Sequence, residues 1–284
     1  MHILAATDFS TRSHRALRRA GVLARDNGAE VTLLHVVDDD RPAELVALEK
    51  REAGRILVEQ IGSVAELRGL PARALVVEGD PFDGILHAAA SAKADVIVMG
   101  SPRKQLLQDL LVGTTIERVV RTGSFPVLMV NREVEGSYKT ALAAVDVTEP
   151  SVNAVKTGMA LGLPGRGLLT LVHASLPMAQ GKMSYAGVGR DSIDRYVADA
   201  QARATEELTA LLEKNGLDGL KSSVRIANGA PFEAIAATVE HWKPDVLIMG
   251  THNRTGLVKM FLGSVTEEAL RSLDVDILAV PPRQ

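Results

Sequence analysis

Asp95-Val96-Ile97-Val98-Met99-Gly100 reappears as Asp245-Val246-Leu247-Ile248-Met249-Gly250. Thirteen residues after each glycine stands another glycine with a hydroxyl residue behind it, Gly113-Thr114 and Gly263-Ser264. Pro81-Phe82 returns as Pro231-Phe232 at the same spacing of 150. Upstream the spacing is 138, pairing Asp8 with Asp146 and His35 with His173. The second half therefore holds about twelve extra residues between His173 and Pro231. A period this long is the length of a domain, not of a solenoid repeat. The chain reads as a tandem duplication, with domains expected at 1–134 and 139–284 and the boundary near the charged stretch Arg132–Lys139. So short a linker predicts halves that pack closely.

Composition agrees. At 284 residues two domains is the expected count, and each half is long enough to bury a core. Hydrophobic residues make up 46% but aromatics only 3%, so the core must be built from Val, Leu, Ile and Ala. A net charge of -3 gives no support to a nucleic-acid or membrane-surface role. The absence of cysteine excludes disulfides, thiol catalysis and thiolate metal sites. No signal peptide opens the chain, and no apolar stretch approaches the ~18 residues that span a bilayer. A cytoplasmic protein with no membrane partner is the expectation.

Short apolar runs with β-branched content mark the strands: Ile3–Ala6, Val31–Val37, Arg73–Val77, Val96–Met99 and Val127–Val130, then Ala141–Val145, Leu168–Val172, Val224–Ala227, Val246–Met249 and Ile277–Val280. Several lack polar alternation, which implies burial on both faces. Between them run helical patterns. Ala16, Leu17, Ala20, Leu23 and Ala24 form one stripe that Gly28 ends. Asp80-Pro81 is a cap followed by a first-turn proline. Strands alternating with helices predict an α/β fold, a parallel sheet with helices on both faces. The cluster Arg15–Arg19 reads as a solvated helix face. The segment Ser175–Arg190 reads as a lengthened surface loop or, more sharply, as a flap over the second-half site.

In a doubly wound sheet ligands sit beyond the carboxyl ends of the strands, where strand order reverses. Asp8 and Asp146 end the first strand of each half, and Gly100 and Gly250 end the fourth. A carboxylate there accepts hydrogen bonds from a ribose, and a glycine admits close backbone approach. Gly113-Thr114-Thr115 and Gly263-Ser264-Val265-Thr266 then open helices, whose free N–H groups suit phosphate. A purely structural reading stands beside this one. Thr114-Thr115-Ile116-Glu117 and Ser264-Val265-Thr266-Glu267 both match a helix capping box, which needs no ligand. No Walker loop occurs, the seven histidines lack metal-ligand spacing, and no Ser-His-Asp set stands out. No catalytic or metal-ligating residue is assigned. His35 and His173, at the ends of apolar strands, read as satisfied core-edge residues.

With these motifs the chain resembles the universal stress protein family in its tandem two-domain form. The opening Ile3-Leu4-Ala5-Ala6-Thr7-Asp8-Phe9-Ser10, the strand Leu33-Leu34-His35-Val36-Val37, and the fourth strand with its glycine loop carry the resemblance. It implies two tandem doubly wound domains, each a five-stranded parallel sheet in order 3-2-1-4-5, whose last strands pair across a pseudo-two-fold interface. It also implies ATP or a related adenine nucleotide between strands 1 and 4, with Mg²⁺ accompanying the phosphates. The implied contacts are Asp146, Ala174, Met249, Gly250, His252, Asn253, Gly263, Ser264, Val265 and Thr266 in the second half. In the first they are Asp8, Val36, Gly100, Arg103, Gly113, Thr114 and Thr115. The family pattern Gly-x2-Gly-x9-Gly-Ser/Thr has Arg103 and Asn253 at its second glycine. Asn tolerates positive φ and Arg does not, so nucleotide is expected to bind the second half at least as well as the first.

Three functions follow from this reading. The first is a stress-response protein that binds an adenine nucleotide and signals through its conformation or its protein partners. The second is a slow ATPase, for which no general base is evident beside the phosphate loop. The third is a nucleotide-free module that takes another small molecule. The two halves would form an intrachain pseudo-dimer; a further homodimer stays open.

Overall fold

The computed structural model describes residues 1–102, 114–176, 180–251 and 262–282. The first half contains β1 (His2–Ala6), α1 (Thr11–Asn27), β2 (Glu30–Val37), α2 (Ala43–Ser63), β3 (Ala72–Glu78), α3 (Pro81–Ala92), β4 (Val96–Gly100), α4 (Thr115–Thr122) and β5 (Val127–Val130). The second contains β6 (Thr140–Ala144), α5 (Glu149–Ala160), β7 (Leu168–Ser175), α6 (Gln180–Tyr185), α7 (Arg190–Lys214), β8 (Val224–Asn228), α8 (Pro231–Trp242), β9 (Val246–Gly250), α9 (Ser264–Ser272) and β10 (Asp276–Val280).

The strands lie where the apolar runs place them, and the missing alternation has the expected cause. In β1, Ile3 and Ala5 enter one core with Ala16, Leu17 and Ala20 of α1, while Leu4 enters the other with Ile85 and Ala89 of α3. Each strand residue therefore has an apolar neighbour layer whichever way it points. Gly28, at φ 61 and ψ 37, ends α1 in the left-handed conformation and donates to the Ala24 carbonyl. The Asp80 carboxylate accepts the Phe82 N–H at the start of α3, where Pro81 needs no donor.

The strand order is β3-β2-β1-β4-β5-β10-β9-β6-β7-β8. Each half is a parallel sheet in order 3-2-1-4-5, and β5 and β10 meet antiparallel, Leu128 opposite Leu278. The two doubly wound halves thus share one ten-stranded sheet. Strand order reverses at β1, between β2 and β4, and at β6, between β7 and β9.

The joint between the halves is polar at its centre. Asp276, fully buried at the head of β10, accepts the N–H groups of Asn131 at 2.8 Å and Arg132 at 2.9 Å on Oδ1. Its Oδ2 accepts the Tyr138 hydroxyl at 2.6 Å and faces Arg19 Nε at 3.6 Å. The Arg19 guanidinium lies 3.8 Å from the Tyr138 ring centre and donates to the Gly136 carbonyl at 2.6 Å. This corrects the expectation of a solvated face over Arg15–Arg19. Arg19 is 5% exposed, Arg15 donates to the Asn131 carbonyl, and Arg18 donates to the Val134 carbonyl. The basic residues of α1 hold the linker, because its carbonyls need donors that no strand partner supplies.

Away from that centre an ion pair also crosses the halves. Arg271 of α9 donates to the carboxylate of Glu117 in α4 at 2.6 Å. Burial alone would raise the Glu117 carboxyl, but the Arg271 hydrogen bond, the Thr114 N–H and the charges of Arg271 and Arg121 outweigh it and hold the group below its ordinary value. A carboxyl held lower in the folded state adds stability above its unfolded pKa. It loses that stability as pH falls through the folded value. Glu117→Gln is therefore expected to flatten the acid limb of the stability curve below about pH 4.5. Urea midpoints measured from neutral pH downwards check this, and acid limbs of equal slope in the two proteins would contradict it.

The added segment Ser175–Arg190 carries the short helix α6, with Tyr185 96% exposed. Among the described residues, no helix is long and apolar enough to cross a membrane.

Candidate functional site

At each reversal of strand order a crevice opens beyond the strand ends. In the first half the turn from β1 to α1 is built by short side chains. Ser10 caps α1 by accepting the Ser13 N–H, and the Asp8 carboxylate accepts the Ser10 N–H at 3.0 Å. Burial works against the charged form of Asp8, but its hydrogen bonds with Ser10 and Ser13 and the charge of Arg12 lower its pKa overall. Phe9 stacks on His35 at 4.3 Å, and His35 Nδ1 donates to the Thr7 carbonyl at 2.8 Å. The acceptor is a carbonyl, so that nitrogen carries the proton.

The second half repeats the device. His173 Nδ1 donates to the Val145 carbonyl at 2.9 Å. Asp146 Oδ1 accepts from the Thr148 and Ser151 hydroxyls. Its Oδ2 has no partner among the described residues and remains an acceptor at the crevice. Both histidines are satisfied, as expected, yet both also line the crevices.

The fourth strand supplies the facing wall. Gly100 packs on the first turn of α1, since a Cβ there would stand 2.6 Å from the Arg12 carbonyl. Gly250 has more room, its nearest neighbour being the Pro150 oxygen at 3.3 Å from such a Cβ. The chain then returns to start α4 or α9, and here the halves part. At α4 the capping box is complete. The Thr114 hydroxyl accepts the Glu117 N–H, and the Glu117 carboxylate accepts the Thr114 N–H at 2.9 Å. At α9 the matching box does not form, which corrects the reading of Ser264-Val265-Thr266-Glu267 as one. The helix begins a residue earlier, with Gly263 as its cap and no side-chain capping bond. Two contacts wind the extra residue in: the Gly263 N–H donates to the Thr251 carbonyl at 2.8 Å, and the Thr266 hydroxyl donates to the Gly250 carbonyl at 2.8 Å. Ile116 stands where Thr266 does and has no hydroxyl to offer. Glu267 instead pairs with Arg271 at 3.0 Å.

The expected contacts therefore gather as follows. Asp146, Ala174, Met249, Gly250, Gly263, Ser264, Val265 and Thr266 line one crevice of about 210 Å³. Asp8, Val36, Gly100, Thr114 and Thr115 line the other, of about 520 Å³. His252, Asn253, Arg103 and Gly113 lie outside the described residues. Ser13 and Ser151, and Ile85 and Ile235, also line the crevices without having been singled out. Their signal was present, since both pairs recur at the spacings 138 and 150. Among the described residues no group of three or more His, Asp or Glu could hold a metal.

The universal stress protein family model matches residues 1–131 and again 137–281. The chain belongs to the universal stress protein family. It is similar to universal stress protein E of Salmonella typhi, 24% identical over 99% of this chain and 94% of that one. A universal stress protein of Methanocaldococcus jannaschii is 33% identical over 46% of this chain and 81% of its own length. Among solved structures, a universal stress protein of Archaeoglobus fulgidus covers 99% of this chain and 98% of its own, with a TM-score of 0.74 at 21% identity. That likeness extends over both halves and speaks to the fold of this tandem universal stress protein, not to its ligand.

Proposed function

We propose that this tandem universal stress protein is a cytoplasmic stress-response protein that holds ATP or a related adenine nucleotide, in the second-half crevice before the first. Its domain units are taken as 1–134 and 139–284. One observation carries the ranking. The start of α9 has no side-chain cap among the described residues, and Ser264, Val265 and Thr266 line the crevice at this helix start, where first-turn N–H groups and the positive end of a helix suit phosphate. Asp146 Oδ2, without a partner among the described residues, offers an acceptor for a ribose hydroxyl on the other wall. In the first half the Glu117 carboxylate already occupies the Thr114 N–H, where a phosphate would meet a like charge. Volume ranks the crevices the other way, 520 against 210 Å³. Donors outrank volume here, because a polyphosphate is held chiefly by charge-assisted hydrogen bonds.

Mass spectrometry of small molecules released from freshly purified, denatured protein, followed by calorimetric titration with ATP, tests this. Gly263→Asp puts a capping carboxylate at the start of α9, as Glu117 does at α4. It is expected to leave the thermal midpoint unchanged or slightly raised and to weaken ATP by at least about tenfold. ATP bound equally well by wild type and Gly263→Asp would place the phosphates elsewhere. No binding by wild type would leave the non-nucleotide module as the better description. Phosphate release lost on Asp146→Asn would instead favour the slow ATPase.

A further inference from the structure

Both halves carry a glutamate three residues after the hydroxyl residue, Glu117 and Glu267, yet only Glu117 folds back onto its own helix start. Each half also has an arginine four residues after that glutamate, Arg121 and Arg271, but among the described residues only Arg271 forms an ion pair with its own helix's glutamate. Arg271 reaches Glu267 across one turn of α9, Nη2 to Oε1 at 3.0 Å, and so draws that carboxylate away from the start of the helix. The same guanidinium donates from Nε to Oε1 of Glu117 at 2.6 Å. The Glu117 side chain is 2% exposed, while Arg271 is 39% and Glu267 29% exposed. A pair exposed at both ends samples many rotamers and holds little. An arginine with one end fixed on a buried carboxylate does not, because its fork is oriented before it meets the second partner.

We propose that Arg271, anchored by Glu117 of the first half, is a positioning residue that keeps Glu267 off the start of α9 and thereby holds the second crevice open to an anionic ligand. This rests on the reading of that crevice as a phosphate-binding site. It gives the tandem arrangement a specific use, since one half supplies the buried carboxylate that orients the other half's site. The Glu117 hydrogen bond, with the charges of Glu117 and Glu267, raises the Arg271 guanidinium above its ordinary value, as befits a cation set between two carboxylates. Without it, Glu267 is free to adopt what Glu117 already shows, a carboxylate on the N–H of the hydroxyl residue ahead of it.

Two measurements on the full chain test this, one with ligand and one without. Arg271→Gln is expected to weaken ATP about tenfold, the effect of a carboxylate brought beside the phosphate position. Without ligand, the same variant should slow hydrogen exchange at the Ser264 amide, now covered by Glu267. Adding Glu267→Ala to Arg271→Gln should undo both changes, and Arg271→Lys should fall between wild type and Arg271→Gln. A role in stability alone moves the thermal midpoint in either background and gives no such rescue. The proposal is overturned if Arg271→Gln weakens ATP equally with Ala at 267, or if the Ser264 amide exchanges at the wild-type rate in Arg271→Gln. If wild type binds no ATP but the Ser264 amide responds as described, the positioning role stands and the nucleotide reading falls.

Discussion

Asp276→Ala is expected to lower the unfolding free energy by about 3–5 kcal/mol, the cost of removing one partner from a buried ion pair. Asp276 has no exposed surface, and it takes four contacts: two linker N–H groups, the Tyr138 hydroxyl and the Arg19 guanidinium. Alanine leaves the buried Tyr138 hydroxyl and the half-buried linker N–H groups without their acceptor, and Arg19, at 5% exposure, without its counter-charge. Tyr138 reports the same environment. Burial, with the Asp276 charge behind it, pushes its phenol well above the ordinary value, so it stays a donor. Asp276→Asn keeps an acceptor for the linker and should cost less. Arg19→Met with Asp276→Leu, which removes both charges, should cost less than Asp276→Ala alone. Urea unfolding of the full chain measures all three. A loss below about 1 kcal/mol for Asp276→Ala would mean that water reaches the joint and the ion pair is effectively a surface one.

That joint shows where the sequence stops speaking. The sheet was legible because a buried parallel strand needs apolar residues on both faces, and Val96–Met99 or Val246–Met249 can satisfy little else. The edge pairing of β5 with β10 followed from the family resemblance, and Leu128 does stand opposite Leu278. Asp276 was not legible. Its counterpart at a spacing of 150 is Pro126, and the repeat carries no hint of a buried carboxylate. Arg19 looked solvated because its partners, Gly136 and Asp276, lie far along the chain. The crevices were legible as pairs of recurring residues. Their inequality was not, because the capping-box pattern at Ser264 is as good as the one at Thr114. What separates them is the Thr266 hydroxyl on the Gly250 carbonyl, where the first half has Ile116, and an Arg271 that bridges Glu267 to Glu117 of the other half, and the capping-box pattern records neither contact.

Gly100→Ala is expected to destabilise the protein by about 3 kcal/mol, at the upper end of what a single added methyl costs in a packed interior. The new Cβ would stand 2.6 Å from both the carbonyl carbon and the oxygen of Arg12 and 2.8 Å from the Ser13 nitrogen. These are backbone atoms of the first turn of α1, so relief requires moving the helix off β4 and not merely turning a side chain. Gly250 occupies the equivalent place in the second half, but the nearest atom to its Cβ would be the Pro150 oxygen at 3.3 Å, with the Pro150 carbonyl carbon and Ser151 nitrogen at ordinary contact distances of 3.5 and 3.8 Å, and a few tenths of an ångström of movement relieves this. Gly250→Ala should therefore cost less than about 1 kcal/mol. The contrast separates packing from ligand approach as reasons for a glycine. Arg12 and Ser13 line the first crevice, so Gly100→Ala disturbs fold and crevice together and cannot report on binding alone. In the second half the two effects come apart, and ATP titration of a folded Gly250→Ala protein reads the crevice directly. Thermal unfolding of both variants decides the matter. Equal losses would show that α5 seats on β9 as tightly as α1 on β4, and that the second crevice has no more freedom in its floor than the first.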